Sequence, residues 1–209
     1  PSDLIQLIIL ALIQGITELL PGSSSAHLSW LPLLTEWQDQ GLAIDVAAHL
    51  GSLFAVVFYF LSDLRRILIA GIDSIRNRNN ANPDTQLFWL LIVTSMPVLL
   101  LGFLLRDVVA NYLRDPLIIA AASIGFGLLL WYADSKGKRT RSIEAINIRD
   151  ALMIGLAQAL ALVPGTSRSG ITMTAALMLG FDRISAARFS FLMAVPIILA
   201  AGSYELLKL

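Results

Sequence analysis

Pro164-Gly165-Thr166-Ser167-Arg168-Ser169-Gly170-Ile171-Thr172 interrupts an otherwise apolar region that runs from residue 151 to residue 179. A helix that stops at Pro-Gly and restarts as a short apolar arm cannot cross a bilayer twice. The hydrocarbon core is about 30 Å thick and needs about 20 residues per spanning helix. The segment therefore reads as a re-entrant hairpin, whose irregular backbone must be surrounded by protein or water. Residues 4–34 repeat the pattern: an apolar helix to Leu20, then Pro21-Gly22-Ser23-Ser24-Ser25, then a short arm over 26–34.

The rest of the chain agrees with a membrane protein. Of its 209 residues 56% are hydrophobic and only 14% charged, against about 25% charged in soluble domains, and the mean hydropathy is +0.74. Fifteen basic and fifteen acidic residues cancel, which argues against a disordered chain or a basic nucleic-acid binder. The absence of cysteine excludes disulfides, thiolate metal sites and cysteine nucleophiles. Plain spans are expected over residues 43–61, 86–105, 117–133 and 189–207, with Pro97 and Pro196 inside two of them. The N-terminal stretch is not expected to be a signal peptide, because Glu18 breaks its apolar run and no basic residue precedes it in these residues.

Loop charges set an orientation. Residues 62–85 carry Arg65, Arg66, Arg76 and Arg78, and residues 134–149 carry Lys136, Lys138, Arg139, Arg141 and Arg149. The positive-inside rule puts both in the cytoplasm. The first hairpin then enters from outside and the second from the cytoplasm.

The two hairpins are also an internal repeat. Gln14…Leu19-Leu20-Pro21-Gly22-Ser23-Ser24 parallels Gln158…Leu162-Val163-Pro164-Gly165-Thr166-Ser167. Three expected spans lie between the copies, so the repeats have inverted topology, an arrangement that places sites near the bilayer midplane. The expected fold is an all-α polytopic membrane protein, one membrane domain over 1–209: repeat one over about 1–133, a basic cytoplasmic loop over 134–149, and a partial repeat two over about 150–209. The second repeat is truncated on this reading, since two helices of the first have no counterpart.

Polar groups in apolar surroundings mark the function. Gln14 and Glu18 share one helix face at i, i+4, and an ionisable group at membrane depth is a functional candidate. Ser23, Ser24, Ser25 and His27 follow the first break, where freed N–H groups suit an anion, a hydroxyl offers a nucleophile and an imidazole a base. Arg168, flanked by Thr166, Ser167, Ser169 and Thr172, matches phosphate oxygens with its guanidinium fork. A structural Arg168–Glu18 pair is compatible with that role when no substrate is bound. Asp45, His49 and Asp182 read as helix-start caps or charges, and Arg183 and Arg188 as interface anchors. A transporter or flippase is the rival reading, because broken helices and inverted repeats also characterise transporters.

Gln14-x-x-x-Glu18 with Pro21-x-Ser23-Ser24-Ser25-Ala26-His27, and Pro164-Gly165-Thr166-Ser167-Arg168-Ser169-x-x-Thr172, resemble the undecaprenyl-diphosphate phosphatase (BacA-type bacitracin-resistance) family. Asp45-x-x-x-His49-x-Gly51 and Ala194-Val195-Pro196 add to the likeness, which runs in order from about residue 3 to about 207. The resemblance implies a bacterial inner-membrane enzyme that hydrolyses undecaprenyl diphosphate to the monophosphate carrier of peptidoglycan synthesis, and the orientation read from the loop charges opens its site to the periplasm. The resemblance implies Glu18, Ser24, His27 and Arg168 as catalytic residues. Ser23, Ser25, Thr166, Ser167, Ser169 and Thr172 join Arg168 in binding phosphate, and Gln14 with Glu18 holds a divalent cation, Mg²⁺ or Ca²⁺. Expected partners are a polyprenyl diphosphate lipid and the bilayer, with a homodimer as an admissible assembly and no nucleic acid.

Overall fold

The computed structural model describes residues 2–35, 37, 42–77, 82–113 and 115–206. Its regular structure among these residues is helical, with one isolated bridge between Arg141 and Phe181 in place of any strand. The helices are α1 (Ser2–Leu19), α2 (Ser24–Thr35), α3 (Leu42–Tyr59), α4 (Leu61–Asn77), α5 (Pro83–Tyr112), α6 (Pro116–Lys136), α7 (Ile148–Ala159), α8 (Arg168–Met178) and α9 (Arg183–Leu206). Three segments among the described residues are long and apolar enough to cross a membrane: Pro83–Leu105, Pro116–Lys136 and Arg183–Ala200. Pro97 and Pro196 lie inside α5 and α9 without ending them.

One expectation needs correction. Residues 62–85 are mostly not a loop, because α4 fills them to Asn77. Its Ile67 and Ala70 are buried, while Leu68, Ile72 and Ile75 are exposed beside Arg65 and Arg76. The arginines conceal a helical period that hydropathy alone does not reveal. The expected first span is matched by α3, which covers residues 43–59 of it.

Local chemistry explains where the helices start. Asn82 and Asp115 accept from Asp84 N and Leu117 N, with Pro83 and Pro116 in the first turns, where a missing N–H costs nothing. Asn147 and Asp150 form a capping box on α7. Asp182 caps α9 as expected, accepting from Ser185 N at 2.8 Å. That backbone N–H, above all, holds its carboxyl below the ordinary aspartate range.

The main core joins α5, α7, α8 and α9 through Leu90, Ile154, Leu177, Phe189, Leu192 and Met193. Gly155 lets α5 and α7 touch, since a Cβ there would lie 2.5 Å from the Thr94 carbonyl oxygen. This packing fixes α7 and α8 firmly. By contrast α1 leaves Leu4, Ile5, Ile8, Leu12 and Ile16 exposed, a surface suited to hydrocarbon. Arg183 binds Asp134 with both prongs at 2.6 Å, tying the end of α6 to the start of α9. Arg188 reaches Asp63 at 3.0 Å, so it joins α9 to α4.

Candidate active site

The breaks between α1 and α2 and between α7 and α8 meet. Ser169 Oγ donates to the Leu20 carbonyl at 3.2 Å, and a Cβ on Gly170 would lie 3.4 Å from the Pro21 carbonyl oxygen. Each break restarts its helix with a serine cap: Ser23 Oγ accepts from Ala26 N at 3.3 Å, and Ser167 Oγ from Gly170 N at 3.1 Å. The second tip rests on α6. Gly165 has φ +91, and a Cβ there would lie 2.3 Å from the Ile119 carbonyl oxygen, so both its conformation and its space demand glycine. Ser123 Oγ donates to the Gly165 carbonyl at 3.0 Å.

Glu18 is the centre of the junction. Arg168 Nη2 donates to Glu18 Oε1 at 2.6 Å, Ser24 Oγ donates to Oε2 at 2.9 Å, and Gln14 Nε2 donates to Oε2 at 3.3 Å. His49 Nε2 stands 3.8 Å from the same Oε2. The anticipated Arg168–Glu18 pair is therefore present across 150 residues of sequence.

These side chains border a cavity of about 220 Å³ lined by Glu18, Ser24, His49, Thr166, Ser167 and Arg168, among others. Several polar atoms at the junction are buried without a partner: Arg168 Nη1, Thr166 Oγ1 and Gln14 Oε1. A buried donor left unmade costs about 1–3 kcal/mol, so Arg168 and Thr166 hold unused capacity for an anion.

The structure brings Gln14, Glu18, Ser23, Ser24, Thr166, Ser167, Arg168 and Ser169 together. It does not bring all the expected residues to this cavity. Thr172 is turned into the protein, donating to the Arg168 carbonyl and lying 2.7 Å from Ser190 Oγ. His27 lies on the other side of the tips, beside Gly22, with Nδ1 2.7 Å from the Ser23 carbonyl oxygen. A carbonyl only accepts, so Nδ1 carries the proton and Nε2 is the nitrogen open to exchange. The side chains of Ser25 and Asp45 lie outside the described residues.

His49 is the residue that sequence reasoning undervalues. It is not at a helix start but a second turn into α3, facing Glu18. Gln158 stands out in the sequence only as a repeat marker, yet it is fully buried with both amide atoms unpartnered. Its presence in an apolar helix is the signal that could have found it.

A divalent ion is expected on Gln14 and Glu18. Among the described residues no group of three or more His, Cys, Asp or Glu side chains converges as an ion site. The donors present are nevertheless hard oxygens: the Glu18 carboxylate and the unpartnered Gln14 Oε1 one turn away. Mg²⁺ is commonly held by one or two carboxylates together with substrate phosphates. The residues fit such an ion only when phosphate completes its shell.

The family described as bacitracin resistance protein BacA matches residues 7–209. Undecaprenyl-diphosphatase of Thioalkalivibrio sulfidiphilus is 54% identical over 99% of this chain and 77% of its own length. Undecaprenyl-diphosphatase 1 of Pseudoalteromonas translucida is 53% identical with the same coverage. Undecaprenyl-diphosphatase of Chromohalobacter salexigens is 53% identical over 97% of this chain and 76% of its own. With that identity sustained across both hairpins and the helices that hold them, the chain belongs to the bacitracin resistance protein BacA family.

Proposed function

We propose that this chain is an integral membrane phosphatase that hydrolyses undecaprenyl diphosphate to undecaprenyl phosphate and inorganic phosphate, returning the lipid carrier to peptidoglycan synthesis and so opposing bacitracin. The observation that carries this reading is the shared carboxylate of Glu18, held by Ser24 from one hairpin and Arg168 from the other beside an anion-sized cavity.

Phosphoryl transfer asks a protein mainly for positioning and charge stabilisation. Arg168 supplies both: Nη2 holds Glu18, while the unpartnered Nη1 takes a phosphate oxygen. Thr166 and the N–H groups at the start of α8 add neutral donors. The Ser24–Glu18 hydrogen bond is the geometry of a nucleophile and its base. Ser24 Oγ attacks the terminal phosphorus and gives its proton to Glu18. The new Oγ–P bond forms as the bridging P–O bond breaks, and the lipid monophosphate leaves with that electron pair. Water then releases phosphate from the serine. His49 beside Glu18 stabilises the carboxylate when the imidazole is charged, and His27 is the proton donor across the tips. A divalent ion on Gln14 and Glu18, when bound, offsets phosphate charge.

The hairpins enter from opposite faces as inverted repeats in the bacterial inner membrane, with release on the periplasmic side. Phosphate release by purified protein in liposomes without any gradient tests the enzyme reading. Lipid movement with no phosphate released would establish transport instead. Asp115→Cys and Lys138→Cys test the orientation, because the chain has no native cysteine. A membrane-impermeant thiol reagent on intact cells should label position 115 and spare 138; the reverse pattern overturns the orientation.

A further inference from the structure

The polar cavity shares Gly22, Ser23 and Ser167 with a second cavity on the far side of the tips, of about 310 Å³. Its character is different. Ala120, Ile124, Gly127 and Leu130 of α6 form one wall, and Trp30 and Ile171 stand among the residues opposite. It leads past Pro21, Gly127 and Leu130 into an open cleft of about 470 Å³, bordered by Trp131, Met173, Leu177 and Ala187. The Asp134–Arg183 ion pair stands at that cleft. Only 11% of the α6 span is buried in the protein, so the groove is open along the outer side of α6.

Gly127 lies at the neck, common to both cavities. A Cβ built there meets nothing within 4 Å, so no close packing requires glycine. Glycine weakens a helix interior, and its presence here keeps the neck wide. Gly125 meets nothing within 4 Å either but projects from the other side of α6, two residues away at about 100° per residue.

We propose that the groove along α6 holds the polyprenyl tail of the substrate while its diphosphate occupies the polar cavity, and that Gly127 sets the width through which the tail passes. This assignment rests on the phosphatase reading. Its chemistry follows from the shared wall: a polar site with hydroxyl donors joins directly to a continuous apolar groove, matching an anionic head covalently attached to a flexible hydrocarbon. Because the groove opens laterally, a long chain needs only its first isoprene units inside, and the rest trails into the bilayer.

The test uses the full chain in detergent micelles, with Gly127→Leu and, as control, Gly125→Leu. Substrates are dimethylallyl, farnesyl and undecaprenyl diphosphate. Gly127→Leu should raise KM at least tenfold for the two longer substrates and leave dimethylallyl diphosphate hydrolysis unchanged, while Gly125→Leu behaves as wild type on all three. Wild-type kinetics for Gly127→Leu, or an equal loss on all substrates, overturns the groove assignment. A binding readout separates this from failure of the phosphatase reading. N-ethylmaleimide labelling of Gly127→Cys should be slowed by undecaprenyl phosphate and not by inorganic phosphate, with Gly125→Cys unaffected by either. Protection at 127 in a protein that hydrolyses nothing keeps the groove and removes the enzyme. Equal labelling with and without the lipid removes the groove, whatever the activity.

Discussion

The two hairpins solve the same backbone problem one residue apart. In the first, the capping serine is the second residue after proline, Pro21 to Ser23; in the second it is the third, Pro164 to Ser167. The first helical residues are consequently Ser24 and Arg168, equivalent in position and unlike in chemistry. Both reach Glu18, one on each oxygen. A cation at a helix N-terminus opposes the helix dipole, so Arg168 is poorly placed for helix stability and well placed for a carboxylate or phosphate. The extra residue puts a guanidinium where the first break has a hydroxyl.

Their surroundings differ as well. The second hairpin packs against α5, α6 and α9, which bury Ala151, Ile154 and most of α8, although α7 exposes Ile148, Leu152, Met153 and Leu156 much as α1 exposes Leu4, Ile8, Leu12 and Ile16. Equivalent substitutions in the two hairpins should therefore have unequal consequences.

The largest effects are expected at the shared carboxylate. Glu18→Gln removes the base, and general base catalysis is worth about 10²–10⁴ in rate; phosphate release should fall by about that factor at unchanged expression. Near-wild-type turnover would show that Glu18 is not the base. Arg168→Ala should lose as much, because it strips the phosphates and strands Glu18. Arg168→Lys keeps the charge without the fork and should rank between Ala and wild type. If all three Arg168 forms release phosphate equally, the one-residue offset has no catalytic meaning.

Stability should separate the two breaks next. Gly165→Ala forces a residue with a side chain into a positive φ and against the Ile119 carbonyl, a strain of about 1–3 kcal/mol. Gly22→Ala meets only His27 Cε1 at 4.0 Å and should leave the thermal midpoint in detergent nearly unchanged. Equal shifts would contradict the tighter seating of the second tip.

The smallest effect is expected at the paired glutamines. Gln14→Glu should retain activity, since the resemblance implies that either residue serves there. Gln158→Met replaces two unpartnered buried polar atoms by apolar ones and should be neutral or stabilising by about 1 kcal/mol. A clear loss of midpoint or of activity would mean that water or substrate satisfies Gln158.

Much of this architecture is legible in the residues alone. The Pro-Gly breaks mark both hairpins, because no spanning helix tolerates such a gap without help. Glu18, Ser24 and Arg168 stand out because polar groups in apolar segments are expensive enough to need a reason. Helix α4 escapes a hydropathy reading because Arg65, Arg66 and Arg76 lower its average while its buried face remains periodic. The role of His49 is hidden because its sequence distance from Glu18 conceals that α1 and α3 pack together.

The sequence by itself determined the class of protein, the two breaks and the chemical vocabulary of the site, since each follows from local composition and spacing. Only the tertiary structure decided the partnerships. It brought Arg168 to Glu18 across 150 residues, turned Thr172 toward Ser190, set His27 on the opposite side of the tips, and opened the groove beside Gly127. Those outcomes depend on which helix faces touch, and that is settled by packing the whole chain rather than by any one segment of it.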